Sequence, residues 1–254
     1  MIDLAAYPPA LRPLLEGATL SDSSGQSGAR TLFIDRDGGY FLKSAAAGAL
    51  AREAEMTRFF HGKGLAPAVL AYLPLERDWL LTEKLHGEVS CAARYTEQPE
   101  RLCDTLAQLL VQLHGMDTAG CPVIHTAQYL ARARHNCLTG AYDSSHFPDS
   151  FGYASAEEAL RVIDTRGQLL CSDTLLHGDY CLPNVILRDW AFSGFIDLGS
   201  AGVGDRHVDL FWALWSLWYN LKTDQYRERF MDAYGRADVD EERLRVVAAV
   251  EVFG

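Results

Sequence analysis

Three polar residues in the second half of the chain have the types and spacing needed for phosphoryl transfer. Asp179 follows the apolar pair Leu175-Leu176, Asn184 comes five residues later, and Asp197 ends a second apolar run. Two strands joined by a loop would bring these side chains to one end of a small sheet. One carboxylate could then position an acceptor hydroxyl and take its proton, while the amide and the second carboxylate hold magnesium. Magnesium prefers oxygen ligands and keeps several waters, so two side chains plus nucleotide phosphates suffice.

The alternation of His177, Asp179 and Cys181 allows a second interpretation, as a metal or nucleophile set. No further ligands stand at metal-binding spacing, and Cys181 has no evident base. A structural contact that fixes the loop is the role we predict for His177. Gly178 would allow the backbone to approach closely.

The wider motif resembles the active-site signature of the aminoglycoside phosphotransferases. It consists of His177-Gly178-Asp179, then Asn184, then Ile196-Asp197-Leu198-Gly199, followed by Gly202-Val203-Gly204-Asp205-Arg206. This family shares the protein-kinase fold, with His-Gly-Asp in place of His-Arg-Asp and Ile-Asp-x-Gly in place of Asp-Phe-Gly. The likeness covers most of the chain, is strongest from Leu175 to Asp209, and is closest to the 3′-phosphotransferase (kanamycin kinase) branch. It implies Asp179 as catalytic residue, Asn184 and Asp197 as Mg²⁺ ligands, and ATP or GTP as phosphoryl donor.

The resemblance also implies a lysine that contacts the nucleotide phosphates and a helix glutamate that aims it. Lys43 ends an apolar strand and precedes a segment with helical spacing that contains Arg52-Glu53. Arg-Glu matches the family's pattern, so Glu53 is chosen over Glu55. An exposed lysine at a strand end is the ordinary alternative for Lys43.

Further nucleotide contacts are implied around this strand. The small-residue loop over residues 21–29, which includes Ser24, would cover the phosphates, although it lacks Gly-x-Gly-x-x-Gly and a plain surface turn would look the same. Phe41 would face the adenine, with core packing as an equal alternative. The connector at Thr82–Leu85, which includes Lys84, would supply backbone groups to the adenine edge.

The resemblance implies an α+β protein with a bilobal, protein-kinase-like fold. A small antiparallel-sheet lobe would span residues 1–85 and bind nucleotide; a larger, mostly helical lobe would span residues 86–254 and carry catalysis and substrate binding. The leucines of Pro99–His114 fall on one side, which indicates a core helix. Further helices are predicted over 126–137, 156–168, 211–219 and 243–253. We interpret Asp205 and Asp209 as residues that support the site.

Composition is that of a globular enzyme of 254 residues, with 48% hydrophobic and 22% charged residues. The net charge of −11 argues against a nucleic-acid partner, because phosphate backbones need a basic surface. It suits a cationic small-molecule substrate, although solubility explains the acidity equally well.

The six cysteines show no paired spacing, and neither a signal segment nor a long apolar span is present. These features predict reduced thiols, a cytoplasmic location and no membrane partner.

Three acids are candidates for contacts with the amines of an aminoglycoside. Asp143 and Asp149 lie in a polar insertion, where a solvated loop is the alternative, and Glu251 lies near the end of the chain. The chain departs from the 3′ pattern in this respect: Ser200 replaces an arginine, Tyr219-Asn220 stands where acids are usual, and the end keeps one acid. Fewer anions should weaken binding of a polycation, since an exposed pair contributes roughly 0–1 kcal/mol.

The function predicted is phosphoryl transfer from ATP or GTP to a hydroxyl, the 3′ hydroxyl, of an aminoglycoside antibiotic, which confers resistance. One alternative is a kinase of another small hydroxylated compound, such as a macrolide, choline, homoserine or a sugar. The other is a catalytically dead nucleotide-binding module, against which the joint presence of Lys43, Glu53, Asp179, Asn184 and Asp197 argues.

Overall fold

A computed structural model describes residues 3–25, 28–147 and 149–254. The chain divides into two compact units, Met1–His86 and Gly87–Gly254. The division lies one residue after the boundary predicted from the sequence.

The first unit is built around one antiparallel sheet. Its elements are helix α1 (Arg12–Leu15), strands β1 (Thr19–Asp22), β2 (Arg30–Asp35) and β3 (Tyr40–Ala46), helix α2 (Ala51–Gly62), and strands β4 (Val69–Pro74) and β5 (Arg77–Glu83). The strand order is β1-β2-β3-β5-β4. The prediction that residues 21–29 are all loop was wrong at its start, because Ser21 and Asp22 pair with Phe33 and Leu32 in the sheet.

Alternation along β3 gives the sheet two different faces. Leu42 packs with Ile34 and Leu81 on one face, which the N-terminal residues Leu11 and Leu15 cover. Lys43, the next residue, belongs to the opposite face. There the smaller cluster of Ala45, Leu50, Ala54 and Leu80 joins the sheet to α2. The register of β3 therefore decides which face carries the lysine.

The second unit is mostly helical, as predicted. Its elements are β6 (Glu88–Val89), α3 (Ala93–Thr96), α4 (Pro99–His114), α5 (His125–Thr139), α6 (Ala156–Arg166), β7 (Thr174–Leu176), β8 (Val185–Arg188), β9 (Ala191–Phe195), β10 (Gly202–Gly204), α7 (His207–Leu221), α8 (Arg227–Tyr234) and α9 (Glu241–Glu251). Two small antiparallel sheets, β6-β8-β9 and β7-β10, lie among these helices.

Helix α4 shows why the leucine pattern was informative. Its predicted bounds, Pro99–His114, are those observed. Pro99 occupies a first-turn position, where its missing N–H costs nothing. The leucine stripe is buried: Leu102, Leu106, Leu109, Leu110 and Leu113. His114 is thereby placed at the helix end, inside the unit.

Helices α7 and α8 show two ways in which the structure differs from the prediction. Helix α7 begins at His207, four residues before the predicted start. The carboxylate of Asp205, which precedes the N-cap residue Arg206, accepts the His207 N–H at 2.9 Å. Helix α8 was not predicted. Its eight residues are too few to show a clear apolar stripe, and Phe230 and Met231 are buried only through tertiary packing, in which α8 lies against α4.

A membrane-crossing helix needs about 20 apolar residues in succession. None of the helices in the described parts of the chain meets that requirement.

Candidate active site

The loop after β7 brings the first two predicted residues together. Leu175 and Leu176 are fully buried in β7, which pairs with β10 and so fixes where the loop begins. Across the loop, the Asn184 Nδ2 donates to the Asp179 backbone oxygen at 3.0 Å and to Asp179 Oδ2 at 2.9 Å. The two side chains therefore form one hydrogen-bonded pair.

The third residue, Asp197, follows β9. The Ile196 N–H donates to the backbone oxygen of Asn184 at 3.0 Å, which ties the residue before Asp197 to the loop. Asp197 itself has φ 60° and ψ 53°, a left-handed conformation that costs about 1–3 kcal/mol for a residue other than glycine. Such conformations gather at functional sites, and here one re-aims a carboxylate at a strand end.

The donor set fits a magnesium ion. Since the Asn184 NH₂ group is engaged by Asp179, the amide oxygen is the atom left for a ligand, and it is the type that magnesium prefers. Together with the Asp197 carboxylate this would supply two oxygen donors. Among the described residues, no group of three or more His, Cys, Asp or Glu side chains could hold a metal.

His177 serves the loop and not a metal. Its ring is fully buried, with Nε2 at 3.0 Å from the Ile196 carbonyl oxygen. A carbonyl only accepts, so Nε2 carries the proton, and Nδ1 accepts the Asp179 N–H at 3.3 Å. Both ring nitrogens are used, which confirms the structural role predicted for His177 and argues against the metal interpretation.

Cys181 is unsuited to be a nucleophile. Burial, and then the charge of Asp179 and a hydrogen bond to it, raise the pKa of the Cys181 thiol far above its usual value. The reactive form of cysteine is the thiolate, which this environment disfavours.

Asp209 holds the backbone of the loop. This fully buried carboxylate accepts the His177 N–H at 2.8 Å and the Gly178 N–H at 2.7 Å. Gly178 has φ +82°, and a Cβ there would lie 2.1 Å from the Ser200 carbonyl oxygen. Only glycine fits, so the close approach predicted at this position is confirmed.

Asp205 anchors the segment beyond Asp197. Its buried carboxylate accepts hydrogen bonds from His207 Nδ1 at 2.6 Å, Cys171 N at 2.9 Å and Arg243 Nη1 at 3.0 Å. Burial alone would raise the pKa of Asp205, but the bonds from His207 and Cys171 outweigh it and lower that pKa well below the ordinary range. The side chain is therefore a buried anion with its charge matched by Arg243.

In the first unit, Lys43 and Glu53 form the predicted pair. Lys43 Nζ lies 2.6 Å from Glu53 Oε1, and only 18% and 10% of the two side chains are exposed. Glu53 was chosen over Glu55 from the sequence, and Glu55 is exposed on α2. The exposed strand-end alternative for Lys43 is thereby disfavoured.

The other predicted nucleotide contacts lie around the same sheet. Phe41 packs on Phe33 with ring centroids 5.3 Å apart. Ser24 closes the β1–β2 loop, where its hydroxyl accepts the Thr31 N–H at 3.0 Å. Lys84 places Nζ 5.2 Å from the Phe33 ring. Thr82, predicted in the connector, lies inside β5, because β3 and β4 pair with that strand as far as Glu83 and Thr82.

Of the three acids predicted to contact substrate, Glu251 is buried. Its Oε1 accepts the Tyr129 hydroxyl at 2.6 Å and Trp212 Nε1 at 3.1 Å. Burial raises the pKa of Glu251 to about 7, against the bonds from Tyr129 and Trp212, and the negative charge of Asp179 adds to the increase.

Asp143 and Asp149 are exposed. Asp143 accepts the Ser145 N–H at 2.8 Å and so caps a short 3₁₀ turn. Asp149 lines a cavity of about 340 Å³ together with Phe211, Trp215 and Trp218 of α7. None of Asp179, Asn184 and Asp197 lines that cavity.

Sequence reasoning missed the residues that hold the chain end. Tyr129 and Asn136 both lie on α5. The Tyr129 hydroxyl donates to Glu251, and Asn136 Nδ2 donates to the Phe253 carbonyl oxygen at 2.7 Å. Their spacing of seven residues places them on one helix face, which was the available signal. Nothing local showed that the last residues would be their partner.

The comparisons with known proteins agree with this geometry. Residues 20–247 match the model of the phosphotransferase enzyme family. The chain is 46% identical, over all of its length and 97% of the relative, to a probable aminoglycoside 3′-phosphotransferase of Lactococcus lactis subsp. lactis. It is 30% identical to a streptomycin 3″-kinase of Streptomyces griseus, over 90% of this chain and 89% of the relative.

Among solved structures, the chain resembles an aminoglycoside-3′-phosphotransferase of type VIII. The TM-score is 0.81 at 30% identity, with 96% of this chain and 97% of the other covered. The predicted α+β, kinase-like fold is confirmed by this similarity. The chain belongs to the phosphotransferase enzyme family, and the resemblance to aminoglycoside phosphotransferases that its motifs carry is confirmed.

Proposed function

We propose that the protein transfers the γ-phosphoryl group of ATP or GTP to the 3′ hydroxyl of an aminoglycoside antibiotic and so confers resistance. The observation that carries the proposal is the Asp179–Asn184 hydrogen bond, together with the bond from the Ile196 N–H, next to Asp197, to the Asn184 backbone oxygen. It occurs in a chain that is 46% identical over its full length to a probable enzyme of that class.

In the proposed reaction, Asp179 orients the acceptor hydroxyl and accepts its proton. The acceptor oxygen forms a bond to the γ-phosphorus as the bond from that phosphorus to the bridging oxygen breaks. The Asn184 amide holds Asp179 at a fixed position, which is where most of the acceleration comes from in reactions of this kind.

Asn184 Oδ1 and the Asp197 carboxylate would hold Mg²⁺, which when bound neutralises charge on the nucleotide phosphates. Lys43, held by Glu53, would contact those phosphates. We assign nucleotide binding to the unit Met1–His86, with Phe41, Ser24, Thr82 and Lys84 as further contacts. We assign catalysis and acceptor binding to the unit Gly87–Gly254.

The net charge of −11 favours a cationic acceptor, for which Asp143, Asp149 and Glu251 are candidate contacts. All six cysteines are free thiols, which accords with the reducing cytoplasm that we propose as its location.

The test is turnover of purified protein with Mg²⁺ and either ATP or GTP against a panel of acceptors. Kanamycin, neomycin, tobramycin (which lacks the 3′ hydroxyl), streptomycin, a macrolide and choline would be included, with Asp179→Asn as the inactive control. We expect turnover of kanamycin and none of tobramycin. Equal turnover of both would overturn the 3′ assignment.

One second candidate has an observation in its favour. The streptomycin 3″-kinase of Streptomyces griseus is 30% identical to this chain, and Ser200 stands where the 3′ branch usually carries arginine. Turnover of streptomycin without turnover of kanamycin would select a 3″ hydroxyl on a different scaffold and leave the catalytic assignments unchanged.

A further inference from the structure

A buried histidine at the end of α4 has no role in the mechanism so far. His114 places Nε2 at 3.1 Å from Asp209 Oδ2 and Nδ1 at 2.7 Å from the Tyr234 hydroxyl. Only 3% of its side chain is exposed. Three helices, α4, α7 and α8, thus meet in one hydrogen-bonded chain.

The direction of these hydrogen bonds follows from the groups. A carboxylate only accepts, so His114 Nε2 donates its proton to Asp209. With the ring proton on Nε2, Nδ1 accepts the Tyr234 O–H. Burial raises the pKa of Tyr234 to about 12, so the hydroxyl keeps the proton that it donates.

This series of hydrogen bonds leads to the backbone beside the proposed catalytic residue. Asp209 Oδ2 receives both the His114 ring and the His177 N–H, while Oδ1 receives the Gly178 N–H. These are the two residues before Asp179. The imidazole is one of three donors to this buried carboxylate, so its removal takes away one of the hydrogen bonds that restrict rotation of the carboxylate about its side-chain bonds.

We infer that His114, backed by Tyr234, is a positioning residue for phosphoryl transfer: it fixes Asp209 and, through Asp209, the backbone that aims Asp179. The inference rests on the proposed role of Asp179. His114 acts on the reaction only through the carboxylate of Asp209. Its removal should therefore lower kcat and leave nucleotide binding unaffected.

The first experiment compares His114→Leu with His114→Gln. Glutamine places an N–H the same number of bonds from Cβ as Nε2, so it can still donate to Asp209; leucine fills space without a donor. A misplacement of about 1 Å costs on the order of 100-fold in rate. We expect kcat of His114→Leu to fall about 10- to 100-fold with nucleotide KM within about twofold, and His114→Gln to recover most of the loss. Equal losses in the two variants would overturn the inference.

The second experiment tests whether Tyr234 acts through His114. Tyr234→Phe deletes the hydroxyl alone, and Tyr153→Phe is a matched control, since Tyr153 is also buried and donates to the Arg245 carbonyl oxygen at 2.6 Å. We expect Tyr234→Phe to lower kcat about threefold in the wild type and to have no effect in His114→Gln or His114→Leu. Additive losses in kcat, or an equal loss in Tyr153→Phe, would contradict the inference that Tyr234 acts through His114.

A third readout does not depend on any acceptor. Amide hydrogen exchange of a peptide covering 175–180 should be faster in His114→Leu than in His114→Gln, with exchange in β8 unchanged. Unchanged exchange at 175–180 in a folded His114→Leu would overturn the inference even if the acceptor proved to be another compound. If the leucine variant does not fold, the test is the effect of Tyr234→Phe on kcat, measured in the wild type and again in His114→Gln.

Discussion

The loop around Asp179 and the segment between α5 and α6 are built in opposite ways. The loop lies on a fully buried strand, and its backbone N–H groups are received by the buried carboxylate Asp209. In the other segment, Asp143 accepts from a residue two positions along the chain, and Asp143 and Asp149 are both exposed.

The difference separates the chemical step from the choice of acceptor. Groups that act on reacting atoms must be held to within a fraction of an ångström, which takes several bonds from different elements. Groups that attract a cation act over a longer range and tolerate a surface loop. Glu251 lies between these cases, since it is buried like the loop but assigned to the acceptor.

The largest expected effect is that of Asp179→Asn. It removes the proposed base and keeps the shape of the side chain, so kcat should fall about 10²- to 10⁴-fold, the usual contribution of general base catalysis. Isothermal titration should show nucleotide affinity within about twofold of wild type. If nucleotide binding were lost together with turnover, Asp179 would have a binding role. The loop around Asp179 would then not be specific to the chemical step.

A matched pair of glycines measures how tightly the loop is held. Gly178 and Gly152 have φ +82° and +75°, but a Cβ at Gly178 meets the Ser200 carbonyl at 2.1 Å, whereas one at Gly152 meets nothing within 4 Å. Alanine at Gly152 should cost about 1 kcal/mol of unfolding free energy from backbone strain. At Gly178 steric overlap should add about 1–3 kcal/mol. Urea unfolding measures both, and equal costs would show that the loop can shift.

Glu251 should make stability depend on pH. Its pKa is raised from 4.5 to about 7, so between these values the folded protein binds more protons than the unfolded chain. The free energy of unfolding must therefore fall as pH rises through this range, by up to about 3 kcal/mol. Glu251→Gln keeps an acceptor for Tyr129 and Trp212 and removes the titration.

The measurement is the difference in unfolding free energy between wild type and Glu251→Gln at pH 5, 6, 7 and 8. Other titrating groups cancel in this difference. The unfolding free energy of wild type should fall relative to that of the variant as pH rises. A difference that does not change with pH would mean that Glu251 is solvated, like Asp143.

The smallest effects should come from the exposed acids. Asp143→Asn and Asp149→Asn should each raise KM for kanamycin less than about fivefold, because an exposed ion pair contributes roughly 0–1 kcal/mol, and kcat should not change. Asp232→Asn serves as the control, because it removes the same charge from an exposed acid of α8 that pairs with Arg236, just beyond that helix. A rise above about 50-fold would reveal a built pocket and weaken the contrast with the catalytic loop.

Much of the site could be predicted because its residues are close in sequence. Asp179 and Asn184 are five residues apart, and a short loop between apolar strands leaves few ways to arrange them. The Lys43–Glu53 pair follows similarly from a strand and the helix after it. Helix α4 could be predicted to the residue because its leucine stripe repeats along one face.

Tertiary structure alone decided what supports these residues. Glu251 meets Tyr129 across 122 residues of chain, and His114 meets Asp209 and Tyr234 from three helices. Periodicity shows which face of a helix is buried but carries no information on which polar group it will meet there. Whether an acid is exposed like Asp149 or buried like Glu251 depends on packing between distant segments, and that packing sets its pKa and its effect on stability.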